Sequence, residues 1–271
     1  ALATSYGKQL SGWSLTFQLL LVNANRHLGD LQASDNAIRE LDAIITLLRR
    51  GPGWSEWGSH WTYQAERARG EYQLTTGNPV AAELSFIRAL SALQARIDAF
   101  ERGDYKGSTR RVHSKQGIYF NKGIVQARMA NALFAQRKLS ESEYYSRLAL
   151  KTFLDVGTRN TSSVAGVLSG LSQTIAEQGR TQESLVLSRY ALSSILESGL
   201  ADYSTQMIYA RRSHAAALVN NEKFTEASQQ FALIKSSIAK DEFMKERFKR
   251  VNDLDEVVAL IFSKQAAQAE V

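Results

Sequence analysis

The chain has no cysteine and only two prolines in 271 residues. Without cysteine it holds no disulfide, no thiolate zinc site and no cysteine nucleophile. Pro52 and Pro79 both fall at expected helix boundaries, where a fixed φ and a missing N–H do no harm. Long helices are therefore permitted everywhere else. No stretch reaches the roughly 18 apolar residues of a membrane-spanning helix; the best run is Leu19-Leu20-Leu21-Val22, inside an amphipathic pattern. Histidine is scarce and scattered, at positions 27, 60, 113 and 214, with no i, i+4 pair and no H-E-x-x-H. No metal is expected on that count. Phosphate-cradling glycine loops and the G-x-S-x-G elbow are also missing, and serines and acids show no spacing that nominates a nucleophile and its base. No cofactor and no enzymatic activity are expected.

What is present is the composition of a soluble globular protein, 44% apolar and 22% charged. The net charge of +6 is modest for this length, and most lysines and arginines alternate with acids. That pattern favours solvated helix faces over a nucleic-acid footprint.

The informative feature is a phrase that returns four times, at residues 66–90, 126–150, 168–192 and 211–234. Each copy has an apolar-periodic stretch, a short polar turn and a second apolar-periodic stretch. The turns are Thr76-Gly77-Asn78-Pro79, Gln136-Arg137-Lys138-Leu139, Gln178-Gly179-Arg180-Thr181 and Asn221-Glu222-Lys223-Phe224. Five and twelve residues past the glycine or its equivalent stand Ala82 and Ala89, Ser142 and Ala149, Ser184 and Ala191, Ala227 and Ile234. Small side chains at such offsets let neighbouring helices approach closely. A degenerate pair is expected before these copies, with helices near 10–28 and 35–50 joined at Gly29-Asp30. A last helix near 252–268 should cap the stack with Leu254, Val257, Val258 and Ile261. Domain boundaries follow: a degenerate pair over 1–53, repeats over 54–240 with a basic loop insertion at 101–117, and a capping segment over 241–271. Turns near 29, 77, 137, 179 and 222 stand 48, 60, 42 and 43 residues apart. A period of about 42 is longer than the 34 of the shortest helical-hairpin repeats, which allows about one extra turn per helix.

Gly70, Gly77, Ala82, Phe86 and Ala89 reproduce the small/large pattern of the tetratricopeptide (TPR) repeat, and this part of the chain resembles that family. Ser142 and Ser184 depart from its alanines, and Ile234 from its last one. The long period looks like that of kinesin-light-chain-type repeats. More narrowly, residues 127–261, with Gln178-Gly179-Arg180-Thr181-Gln182-Glu183-Ser184, resemble the TPR region that precedes the caspase-like CHAT protease domain in bacterial proteins. The resemblance implies an all-α, right-handed superhelix of stacked antiparallel hairpins that binds a protein or peptide in its concave groove. It also implies a C-terminal protease domain in the same polypeptide, in a bacterial protein either cytoplasmic or exported. Carried over position by position, the family's groove sites fall on Asn23, Arg67, Glu71, Asn131, Gln173, Tyr209, Arg212 and Asn220. Asparagine amides match the donor and acceptor of a peptide backbone, and Arg67 and Arg212 suit a carboxylate.

Two further clusters admit two readings each. Trp54, Trp57 and Trp61, at i, i+3 and i+7, form either an aromatic platform or, as expected here, packing between the first two helical pairs. Lys106, Arg110, Arg111, His113 and Lys115 form either an ordinary solvated loop or a site for an anionic partner. The alternative to a peptide-binding scaffold is accordingly an RNA- or anion-binding helical array.

Overall fold

The structure, a computed structural model, describes residues 12–51, 53–105, 114–158, 162–240, 242, 245 and 254–269. Among them are eleven helices and no strand. The chain divides into two compact units, Ala1–Arg137 and Lys138–Val271. Unit 1 contains α1 (Gly12–Leu28), α2 (Leu31–Leu48), α3 (Trp54–Thr75), α4 (Pro79–Glu101) and α5 (Lys115–Ala135). Unit 2 contains α6 (Leu139–Asp155), α7 (Ser162–Glu177), α8 (Thr181–Glu197), α9 (Thr205–Val219), α10 (Phe224–Ile238) and α11 (Leu254–Ala269).

Within unit 1, α1 packs on α2, α3 on α4, and α4 on α5, while α1, α3 and α5 lie side by side as first helices. Unit 2 repeats the scheme, with α7 on α8, α9 on α10, and α7 beside α9. The turns explain why the hairpins close. Gly29, Gly77 and Gly179 take positive φ, and so do Arg137 (φ 63) and Glu222 (φ 60), which stand where the other turns have glycine. The turns inside each unit reverse the chain through the same backbone bonds: Gly77 donates to Leu74 O and Asn78 to Gln73 O, as Glu222 donates to Val219 O and Lys223 to Leu218 O. This is the glycine-type helix stop built partly without glycine. The helices that follow start on side-chain caps where the sequence offers one: Asp30 accepts from Ala33 N and Asn78 from Ala81 N, with Pro79 at the first position of α4. Lys138, Arg180 and Lys223 offer no such cap; Glu141, Glu183 and Glu226 in the following turn supply negative charge at the helix start instead.

At the helix crossings the small residues are buried. Ala82, Ala89, Ala149, Ala191 and Ala227 have no exposed surface. Where serine replaces alanine its hydroxyl is bonded across the crossing: Ser142 Oγ lies 3.1 Å from Thr174 Oγ1, and Ser184 Oγ 3.0 Å from Ser172 Oγ. Gly70 and Phe86 form one contact, since a Cβ on Gly70 would sit 2.6 Å from the Phe86 ring. Trp61 is buried among Leu15, Val22, Leu41 and Ile45, with Trp54 and Trp57 packed on it. The tryptophans are thus the packing between the first two pairs, as expected.

Two expectations change. The connection read as 101–117 is shorter, because Glu101 closes α4 and Lys115 opens α5 behind the cap Ser114; residues 106–113, which carry Lys106, Arg110, Arg111 and His113, lie outside the described residues. On α11, among the residues whose side chains are described, Ala259 is fully buried and Val258 half-buried, while Val257 and Ile261 are about half exposed and Phe262 stacks on Phe224 at 4.9 Å; the side chain of Leu254 lies outside the described ones. Close approach of the helices selects the small residue there, and the larger ones lie to its sides.

Two substitutions probe these devices in opposite directions. Gly70→Ala should lower stability by about 1–3 kcal/mol, because the Phe86 ring has no room to give. Glu222→Gly should raise it by about 0.5–1 kcal/mol by relieving a left-handed backbone on an exposed residue. Urea denaturation of both variants against the parent chain measures each.

Candidate functional site

The sequence-predicted residues sort by unit. Asn23, Arg67, Glu71 and Asn131 stand on α1, α3 and α5 of unit 1. Gln173 is exposed on α7, and Tyr209 and half-buried Arg212 lie one turn apart on α9. These two helices of unit 2 are tied by Ser213 Oγ, which donates to Ser169 O at 3.2 Å. Asn220 is not on a helix face; it is the C-cap of α9, with its N–H on Ala216 O.

The strongest chemistry gathers in unit 1 around Glu71. Its Oε2 accepts from Arg26 Nη2 at 3.0 Å, and its Oε1 lies 3.3 Å from Arg128 Nε and 3.8 Å from Arg67 Nε. Arg26 Nη2 also reaches Asn23 Oδ1 at 3.4 Å. The carboxylate is only 10% exposed, whereas the Arg67 and Arg128 side chains are 30% and 46% exposed. Glu71 therefore lies deeper than these two arginines. Arg128 approaches its Oε1 through Nε, whereas Arg67 Nε stands too far off for a hydrogen bond. Asn131, exposed, follows Arg128 by one turn on α5. Three guanidinium groups around a single carboxylate make this wall cationic, and the neighbouring amides Asn23 and Asn131 add donors and acceptors.

Arg26 and Arg128 are the residues that sequence reasoning missed. Each stands one helical turn from a residue it named, Asn23 or Asn131, but the register of α1 and α5 against α3 decides that both meet Glu71. A second acid on α3 serves a different purpose. Buried Glu66 pairs with Arg69, which also meets Asp42 of α2, and with Arg88 Nε of α4 at 2.9 Å. It joins three helices and faces no groove residue named above.

Other charged groups are structural. Arg96 is 2% exposed and lies over the Tyr63 ring at 5.1 Å. Burial pushes its pKa down, and hydrogen bonds with Tyr63 and Tyr105 oppose the shift. In unit 2, Arg147 and Arg180 both bridge Glu143 and Glu183, linking α6 to α8. Burial raises the Glu143 carboxyl, but bonds from Arg147, Arg180 and Gln178 outweigh it and hold the pKa below its ordinary value.

The structure also brings together a serine and a histidine that lie 26 residues apart: Ser188 Oγ is 3.0 Å from His214 Nδ1. Its polarity is wrong for nucleophile activation. The Ser188 hydroxyl donates to Leu185 O at 3.0 Å, so Nδ1–H donates to Ser188, whereas a general base must accept from the serine. Ser188 has no exposed surface. Among the described residues no group of three or more His, Asp or Glu is placed to hold a metal ion. Nor is any helix among them long and apolar enough to cross a membrane.

No protein-family model and no curated protein matches the chain. Solved structures do. A putative kinesin light chain of Podosopora anserina with nearly identical TPR-like repeats aligns with a TM-score of 0.55 at 14% identity, over 84% of this chain and 95% of that one. BtubC (BKLC) of P. vanneervenii aligns with a TM-score of 0.52 at 14% identity, over 86% and 80%. The apo form of RapI gives 0.56 at 12% identity, over 97% of this chain and 66% of that one. The fold is a TPR-like array of helical hairpins.

The buried Ser188–His214 pair makes stability depend on pH. Burial lowers the pKa of His214 below the ordinary 6.5, Arg189 and Lys223 push the same way, and Glu226 opposes them. The folded state thus binds fewer protons than the unfolded one in this range. The stability it contributes is complete above about pH 6.5 and is lost as pH falls through the lowered pKa. Melting temperatures between about pH 7 and 5 should fall more for the parent chain than for His214→Gln.

Proposed function

We propose that the chain is a protein- or peptide-binding scaffold whose unit 1 wall, formed by α1, α3 and α5, holds a carboxylate of the bound polypeptide. The observation that carries this reading is the Glu71 carboxylate, 10% exposed, among three guanidinium groups of which Arg67 and Arg128 remain 30% and 46% exposed. A carboxylate takes two parallel N–H donors from one fork, and the amides of Asn23 and Asn131 suit the flanking peptide backbone. Gln173, Tyr209 and Arg212 of unit 2 make a second polar and aromatic strip of the same kind. Regular helices hold all these groups without a ligand, which lowers the ordering cost of binding.

The resemblance to CHAT-associated repeats supports a finer reading, a recruiting or regulatory region of a larger protease. Because residues 1–271 have no cysteine, the Cys–His dyad of such an enzyme would have to lie outside them. The reading frame of the parent gene decides this: a CHAT domain in the same frame is the expected result.

The groove assignment is tested with a labelled, extended hexapeptide carrying glutamates and a free C-terminus, followed by fluorescence anisotropy. Arg67→Ala combined with Arg128→Ala should weaken binding about tenfold or more, with a melting temperature little changed. Deleting residues 106–113, which spares Tyr105 and the Ser114 cap, should leave binding intact. Loss of binding on the deletion, with the double variant unaffected, would transfer the function to the basic segment and to the anion-binding alternative.

A further inference from the structure

Among the described residues, helix α1 is covered on one side only. Leu15 and Val22 are completely buried, and buried Gln18 donates to Ala37 O at 3.0 Å. The opposite side exposes 80% of Trp13, 55% of Phe17 and 62% of Leu20, and Leu28 is exposed at the helix end. Trp13, Phe17, Leu20, Ala24 and His27, all exposed, follow one another in steps of four, three, four and three residues. That alternation is the seam of a helix that packs along a second helix. Between Gly12 and Asn25 the helix has no charged residue at all. A helix that is apolar on both sides belongs in an interior.

We infer that this seam pairs with α1 of a second copy of the chain, about a two-fold axis. Charge and area select this occupant. An interfacial lipid-binding helix needs lysine or arginine along its polar face. The only lysine or arginine on α1 is Arg26, and it is bonded to Glu71. The seam is uncharged along most of its length, so two copies meet without like-charge repulsion, and the same patch on each side is what a two-fold pair requires. Ala24 is the small residue of the seam, and it leaves room for a large side chain of the facing helix to seat between the two backbones. Two aromatics and two leucines offer roughly 500 Å² per copy, or about 1,000 Å² in all, at the threshold of a specific interface. The pair is therefore weak and reversible, independent of the arginine wall.

Sedimentation equilibrium of the 271-residue chain tests this, with half-dimerisation expected at tens of micromolar, roughly the affinity such an area gives. Leu20→Lys, and separately Phe17→Glu, should raise the dissociation constant at least about tenfold with an unchanged circular dichroism spectrum and melting temperature, because both side chains point outward. Acrylamide quenching, compared with that of Trp13→Phe, should show Trp13 becoming shielded as concentration rises. A chain that stays monomeric to about 200 µM overturns the proposal, given that area. So does a dimer that both variants leave intact, or a monomer that binds phosphatidylcholine vesicles through Trp13.

Discussion

Two helices joined by a short turn lie against each other only if one turn residue takes a positive φ and the side chains at the crossing are small. Everything else in these units rests on that pair of conditions. Gly29, Gly77 and Gly179 meet the first at no steric cost, and Glu222 meets it against its own preference. Packing on the neighbouring hairpin must supply what the turn itself does not. The second condition is met by alanine where the interface is dry and by serine where a partner hydroxyl stands opposite, as Thr174 does for Ser142. A hairpin so built has no core of its own, and burial comes from the next one, which is why the helices pack in sequence.

Helix α3 shows how the same scaffold divides labour between two acids. Glu66 and Glu71 stand on one helix little more than a turn apart, and both are buried. Glu66 faces α2 and α4 through Arg69 and Arg88; Glu71 faces α1 and α5 through Arg26 and Arg128. One acid closes the stack, and the other gathers the arginines of the wall. A polypeptide bound there, as proposed, meets guanidinium groups that already share an internal carboxylate.

Helix number, turn position and crossing residues were legible in the sequence, because each depends on local periodicity. Asp35 was misjudged as a helix start, because Asp30 is the cap that starts α2 at Leu31; Leu10 lies outside the described residues. On α11 Val258 is half-buried as its pattern suggested, Val257 and Ile261 are not, and the closest contact falls on Ala259, a residue that hydrophobic size does not single out. The site was legible in part. Arg67 and Glu71 came from the resemblance to the groove positions of TPR repeats, yet Arg26 and Arg128 depend on how three helices are set side by side, which no single-helix pattern encodes. The Ser188–His214 pair is hidden for the same reason.

The two units conceal different kinds of polar group. Unit 1 buries charged side chains, at Glu66, Glu71 and Arg96, whereas the polar groups buried in unit 2 are mostly hydroxyls, among them Ser142, Ser172, Ser184, Ser188 and Thr174. Urea weakens both alike, since it solvates peptide and apolar groups without regard to charge. Guanidinium chloride is also a salt, and it screens the exposed Arg147 and Arg180 bridges of unit 2 more than the buried Glu66 and Glu71 carboxylates of unit 1. Ionic strength thus acts on the two halves of this chain unequally: the half with the arginine wall keeps its buried carboxylates paired in an electrolyte that loosens the exposed bridges of the other.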